Sequence, residues 1–291
     1  MGYLILCILI NAGLILIFRV FPQLGVRSFQ AIMANYFVAG SLGFILSGKH
    51  PFHPETLDQA WLPYGVVLSF MFISLFYLIA LTTQKMGVSV ASVSNKMSVV
   101  VPVLFALSLY DEKLGAVQWI GLLGAMAAVV MVSIKKSEEN HEAKSKGNWL
   151  LPVVLFIGCG LLDTLINYLQ FRFVSADLPA SFLLSAGFLG AGIIGVLVFS
   201  RNVMQGKESI HPKSIIAGLI LGVPNFFSMY LVMKTLESGI MAASVFFPVN
   251  NMGVVSAATL VSVLAFRERL SKLNIAGIFL SLLSIYLIAF G

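Results

Sequence analysis

The stretch GVSVASVSNKMSVVVPVLFALSL, residues 87–109, decides how the rest of the chain is read. It is long enough to cross a bilayer, for which about 20 consecutive apolar residues suffice. Asn95 and Lys96 lie near its centre, with Pro102 beyond them. An ammonium at mid-bilayer costs about 3 kcal/mol on insertion scales, so a chain that keeps one there points it at a partner, a cavity or a ligand. The segment therefore reads as a wall of a transport pathway.

Working outward, the 291-residue chain is 59% hydrophobic and 10% charged, with a mean hydropathy of +0.97, whereas soluble domains carry about 25% charged residues. No water-soluble core accounts for that surplus. Apolar runs with short polar breaks predict ten spans: 2–18, 28–47, 61–83, 87–109, 114–134, 149–171, 179–200, 213–235, 239–265 and 271–290. The fold class expected is an all-α polytopic membrane protein. A net charge of +6 would suggest nucleic acid in a soluble protein; here the basic residues sit in connections, where they set topology, so no nucleic acid partner is expected. Cys7 and Cys159 fall inside spans, which argues against a disulfide framework or a metal site. No basic segment precedes the first apolar run, so it reads as a first span and not a cleaved signal peptide. Trp61, Trp119 and Trp149 lie near span ends, where an interfacial belt would place them.

Lysine and arginine favour the odd-numbered connections, which hold Arg19, Arg27, Lys85, the lysines of 135–148, Arg201, Lys207, Lys213, Arg267, Arg269 and Lys272. The even ones hold only Lys49, Lys113, Arg172 and Lys234. The positive-inside rule then puts odd connections in the cytoplasm and both termini outside a plasma (cell inner) membrane.

Self-comparison reveals a repeat. A shift of 152 lays Cys7 on Cys159, Asn11 on Asp163, Gly40 and Gly43 on Gly192 and Gly195, and Gly87-x3-Ala91-Ser92-Val93 on Gly239-x3-Ala243-Ser244-Val245. Tyr77-Leu78-x3-Thr82 matches Tyr230-Leu231-x3-Thr235 at 153. Beyond a short insertion the shift becomes 156, joining Asn95 to Asn251 and Glu112-Lys113-Leu114-x6-Gly121 to Glu268-Arg269-Leu270-x6-Gly277. Each half has five spans, so the second enters the membrane inverted. The expected organisation is a first five-helix repeat over 1–134, a hydrophilic linker over 135–148 and a second five-helix repeat over 149–291. Such 5+5 inverted repeats place a substrate site near mid-membrane at the interface of the halves, beside interrupted helices. Pro102, Pro224 and Pro248, close to Asn225, Asn250 and Asn251, fit irregular backbone lining a cavity, or else packing kinks.

With its Glu-Lys/Arg-Leu-x6-Gly signature at two helix junctions, this repeat resembles the ten-helix EamA-like branch of the drug/metabolite transporter superfamily. The resemblance covers essentially the whole chain and implies a secondary transporter without ATPase machinery. Members of the superfamily export drugs, amino acids and other metabolites, or exchange nucleotide sugars and sugar phosphates. Small four-helix relatives bind cations through a glutamate in their first helix, where this chain has Asn11.

Of the 18 basic and 12 acidic residues, only Lys96 and Asp163 fall deep inside predicted spans. They pair with each other, or contact substrate, or Asp163 serves as a proton-coupling carboxyl; sequence leaves the three open. Asp163, Asn167 and Gln170 follow one another at helical spacing and give that span a polar face. Lys96, Asn95, Asp163, Asn167, Asn250 and Asn251 form a candidate substrate-binding set. Asn11, Asn35 and Asn225 join it, although interhelical hydrogen bonding explains each alone. Tyr36, Tyr77 and Tyr230 are candidate pocket walls, with packing as the competing role. Glu112 and Glu268 read as fold markers that cap or pair at helix junctions.

No phosphate loop, metal spacing or catalytic constellation is present, so neither an enzyme nor a cofactor is expected. The function expected is a secondary transporter moving a small polar metabolite, anionic or zwitterionic, by alternating access, with protons or a counter-substrate for coupling. Proton-coupled efflux of cationic drugs is the alternative transporter. A membrane receptor or assembly subunit that moves nothing is the alternative of another class.

Overall fold

In the bilayer core each backbone N–H and C=O needs a partner within the protein, and helices provide one locally. The computed structural model of the chain describes residues 2–48, 60–110, 115–133, 149–173, 178–237 and 243–290. Among the described residues eight helices are long and apolar enough to cross a membrane, and two shorter apolar ones, Ala116–Val132 and Lys272–Ile288, bring the total to the ten expected. The predicted linker over 135–148, the loop from Lys49 to Asp58, the Glu112-Lys113-Leu114 signature and Gly239 lie outside the described residues.

The helices are α1 (Gly2–Val20), α2 (Ser28–Ser47), α3 (Leu62–Met86), α4 (Val88–Met97), α5 (Val100–Tyr110), α6 (Ala116–Ser133), α7 (Leu150–Phe173), α8 (Ala180–Met204), α9 (Pro212–Glu237), α10 (Ala243–Phe266) and α11 (Lys272–Phe290). The span expected over 87–109 is present and is interrupted: it divides into α4 and α5 at Ser98-Val99.

The chain forms two compact units, each drawing helices from both predicted repeats. Unit 1 comprises 1–19, 78–161 and 231–291; unit 2 comprises 20–77 and 162–230. The divisions within α3 and α9 fall at Tyr77-Leu78 and Tyr230-Leu231, the dipeptides that the repeat equates. Thr82 Oγ1 donates to the Leu78 carbonyl at 2.8 Å, and its counterpart Thr235 Oγ1 donates to Leu231 at 2.7 Å.

Each unit is built on a pair of repeat-related helices in reciprocal contact. In unit 2, α2 packs most extensively on α8. Gly40 of α2 lies against Leu189, and its counterpart Gly192 of α8 lies against Phe37. In unit 1 the same relation joins α6 and α11: Gly121 abuts Ile288 and Ser284, while Gly277 abuts Met131, Val132 and the Ala128 carbonyl. Lipid tails are as apolar as leucine, so contact of this kind rests on small residues that let backbones approach.

The helix starts repeat as well. Ser271 caps α11, its Oγ accepting from the Asn274 N–H at 3.1 Å while Asn274 Oδ1 accepts from the Ser271 N–H at 3.2 Å, a reciprocal capping box. At the equivalent position before α6, the Gly115 N–H donates to Gln118 Oε1 at 2.9 Å. Both caps follow directly on the Glu-Lys/Arg-Leu signature, which thus leads into a helix start.

Within unit 2, α9 meets α2 at Gly218 and Gly222, where added side chains would meet the Ala31 carbonyl and, at 2.6 Å, the Asn35 carbonyl. Backbone cannot yield as a flexible side chain can. Gly222→Ile should therefore destabilise the protein by about 1–3 kcal/mol through overpacking, read as a lower melting temperature in detergent. Gly2→Ala, in open space, should leave the melting temperature unchanged.

Candidate functional site

The division of α4 from α5 follows from Pro102. A proline lacks the N–H that would donate to the carbonyl four residues earlier, and its ring presses on that carbonyl; here that residue is Ser98. The Val101 N–H takes over, donating to the Ser98 carbonyl at 2.9 Å, and Ser98 Oγ donates to the Asn95 carbonyl. Neither Pro224 in α9 nor Pro248 in α10 interrupts its helix. Gly160 of α7 seats its backbone on the break, where a Cβ would collide with Val101 and stand 2.8 Å from the Ser98 oxygen.

The break gives Lys96 a helix end: it lies in the last turn of α4. Carbonyls at a helix C-terminus carry partial negative charge and stabilise a cation by about 0.3–1 kcal/mol, up to about 2 when partly buried. That offsets much of the cost of about 3 kcal/mol for a mid-membrane ammonium. Lys96 is half-buried, and among the described residues it makes no ion pair.

Helical spacing places the other unit 1 candidates around it. Val88 and Ala91 of α4 pack with Ala12 and Ile15 of α1 and with Val254 and Ala258 of α10. Asn95 lies one turn beyond Ala91 on that stripe, and Asn250 one turn before Val254. Asn251 follows, half-buried, and Gly253 meets Ile8 of α1. Asn11 Nδ2 donates to the Cys7 carbonyl at 2.9 Å and contacts Cys7 Sγ at 3.4 Å; that thiol is buried within electrostatic reach of Lys96. Asn11, Asn95, Lys96, Asn250 and Asn251 thus belong to one unit and put polar side chains on three of its helices, α1, α4 and α10.

Four buried side-chain oxygens of this unit are unpartnered: those of Thr83, Ser94, Asn250 and Thr259. Asn250 is 4% exposed with Oδ1 unpartnered, and Ser94 Oγ is equally unpartnered. A buried unsatisfied acceptor costs about 1–3 kcal/mol, a cost that a donor on a bound molecule would remove. Ser94 was not among the sequence candidates. Its signal was the serine run Ser89, Ser92, Ser94 and Ser98 in a segment otherwise fit to cross lipid. Cys7 was likewise set aside as a span residue.

The remaining candidates lie in unit 2. Tyr36 is buried in its core, donating its hydroxyl to the Phe72 carbonyl at 2.6 Å and stacking on Phe188, so its side chain is committed to packing. Tyr77 meets Phe29 edge-on, and Tyr230 stacks on Phe226. Asn35 Nδ2 donates to the Ile32 carbonyl at 3.2 Å, leaving Oδ1 buried without a donor; Asn225 Nδ2 is buried without an acceptor. Asp163 and Asn167 lie on α7, exposed; the Gln170 side chain is outside the described residues. Trp61 is 3% exposed and packs edge-on against Phe182, unlike the exposed Trp119 and Trp149, so it is a packing residue more than a lipid-facing one. No group of three or more metal-ligating side chains occurs among the described residues.

Ten apolar helices among the described residues, one of them broken beside Asn95 and Lys96, mark an integral membrane protein. Residues 1–134 match the EamA-like transporter family. That family comprises membrane transporters of small molecules, not enzymes. The chain is 26% identical over 290 residues to an uncharacterized protein of Haemophilus influenzae, covering 98% of this chain and 97% of the relative. It also resembles a crystal structure at 15% identity with a TM-score of 0.59, covering 97% of this chain and 96% of the other. That likeness speaks to the fold alone.

The orphaned Asn250 oxygen yields a test that separates function from stability. Asn250→Leu removes an unsatisfied acceptor and should hold or raise the melting temperature while lowering transport, the trade-off typical of binding groups. A variant that melts lower and transports normally would mark Asn250 as structural.

Proposed function

We propose that the chain is a secondary transporter that moves a small polar metabolite, anionic or zwitterionic, by alternating access, with Lys96 as the anchor for its negative group. The observation that carries this reading is the placement of Lys96: at the end of a helix broken in mid-span, in the same unit as Asn11, Asn95, Asn250 and Asn251, with no ion-paired carboxylate among the described residues. The helix end lets the ammonium persist without a permanent counter-ion. It therefore stays available to a carboxylate or phosphate, for which charge-assisted hydrogen bonds are strong and short.

Protons or a counter-substrate would supply the driving force, and the excess of lysine and arginine on odd connections puts these in the cytoplasm and both termini outside the inner membrane. Two features of unit 1 support that parity. Arg19 Nη1 donates to the Gln84 carbonyl at 3.4 Å and Gln84 Nε2 to the Phe18 carbonyl at 3.1 Å, joining the first and third connections. Glu268 of the ninth reaches Gly87 at the end of the third.

In liposomes loaded with purified protein, Lys96→Ala should lower uptake of an anionic or zwitterionic substrate by about tenfold to a hundredfold, the worth of a hydrogen bond to a charged group, with the melting temperature retained. Lys96→Arg should recover part of the loss. Full activity of Lys96→Ala would remove it from the site. A second reading, proton-coupled efflux of cations, draws on the exposed position of Asp163 in α7. There Asp163→Asn should abolish cation resistance, and wild-type resistance in that variant would reject the reading.

A further inference from the structure

In unit 1 the corner after α10 lies over the beginning of α4. Glu268 Oε1 occupies the space that a Cβ on Gly87 would need, with Glu268 Cδ 2.9 Å from the same point. Gly87 has φ +109°, a conformation that L side chains rarely adopt, so two independent constraints keep this position bare. The carboxylate is held there by its own backbone. The Glu268 N–H donates to the Ser262 carbonyl at 3.1 Å, a turn made possible by Arg267 in the left-handed region at φ 51°, uncommon for a residue with a Cβ. Below the corner, the Ser262 and Ser89 hydroxyls meet at 3.2 Å, fastening α10 to the first turn of α4. A carboxylate at a helix N-terminus interacts favourably with the dipole, and Glu268 is half-buried in that position.

We propose that Glu268 is a latch: seated on Gly87, it closes the approach to the polar side chains of Asn11, Asn95 and Lys96 from the membrane face that carries the first, third and ninth connections. The inference rests on reading those side chains as the substrate site. Opening toward this face requires α4 and the end of α10 to part, which breaks the Glu268–Gly87 seat and the Ser89–Ser262 contact together. A favourable interaction present only in the closed form shifts the population by its own free energy and no more. The signature glutamate thereby acquires a role in holding a conformation, apart from any contact with substrate.

The test uses the full chain with Cys159→Ser, leaving the buried Cys7, one turn before Asn11, as the single thiol. Its labelling by a membrane-impermeant maleimide is followed in right-side-out and inside-out vesicles. A Lys85→Cys variant lacking both native cysteines identifies which preparation exposes the latch face. Glu268→Ala should speed labelling of Cys7 from that face by about threefold to fivefold, the shift one helix-terminus charge supports. Gly87→Ala, which displaces the carboxylate, should do the same alone yet add nothing in the Glu268→Ala background. Should Gly87→Ala not fold, Ser262→Ala takes its place and should likewise speed labelling. Unchanged labelling in folded Glu268→Ala overturns the latch, as does full additivity of Gly87→Ala with Glu268→Ala. Labelling requires no substrate, so an absence of flux in liposomes counts against the transporter and not against the latch.

Discussion

Close approach of helix backbones is the constraint on which the rest depends. Inside a bilayer no helix gains by hiding apolar surface from water, so association rests on dispersion contact and on the few hydrogen bonds that helices share. The chain meets this with glycines placed in pairs by its repeat. Gly40 and Gly192 bring α2 and α8 together, and Gly121 and Gly277 do so for α6 and α11. Because a residue on one helix meets its partner helix where the counterpart residue meets the first, each contact is self-complementary, as in a two-fold dimer interface. A single helix pair serves as the keel of each unit.

On that rigid base one helix is allowed to fail. Pro102 denies the Ser98 carbonyl its donor, α4 stops, and the dipole of the finished helix terminates beside Lys96. The charge that looks costly in the sequence sits where the end of a helix dipole offsets part of its cost. A fixed carboxylate partner would hold the ammonium more firmly, but it would also compete with any anionic cargo. The unsatisfied Ser94 and Asn250 oxygens show the same economy, since partners that quenched them would leave fewer groups to meet a ligand.

Much of this was legible in the chain. Hydropathy located the spans because lipid demands long apolar runs, and the glycines and Tyr-Leu-x3-Thr motifs located the repeat because both copies solve one packing problem. What escaped depended on context. Of the three prolines deep inside predicted spans, Pro102 opens its helix while Pro224 and Pro248, equivalent on paper, do not. Tyr36 sits next to Asn35 in sequence, but rotation about the helix turned it onto Phe72 and Phe188, a matter of neighbours contributed by α3 and α8. Ser94 was overlooked because a lone serine normally returns its hydroxyl to its own helix, as Ser92 and Ser98 do here. The interleaving of the repeats within each unit left no trace in composition or periodicity, since it concerns which copies touch and not what either copy contains.

That interleaving bears on how the protein is made. Unit 1 needs α11 as much as α6, so the keel of that unit cannot form until α11 has left the ribosome. The earliest helices must wait in the membrane as separately inserted rods, their glycine faces against lipid, until their mirror images arrive. Assembly of each unit is therefore set by the arrival of the second copy, not by the insertion of the first.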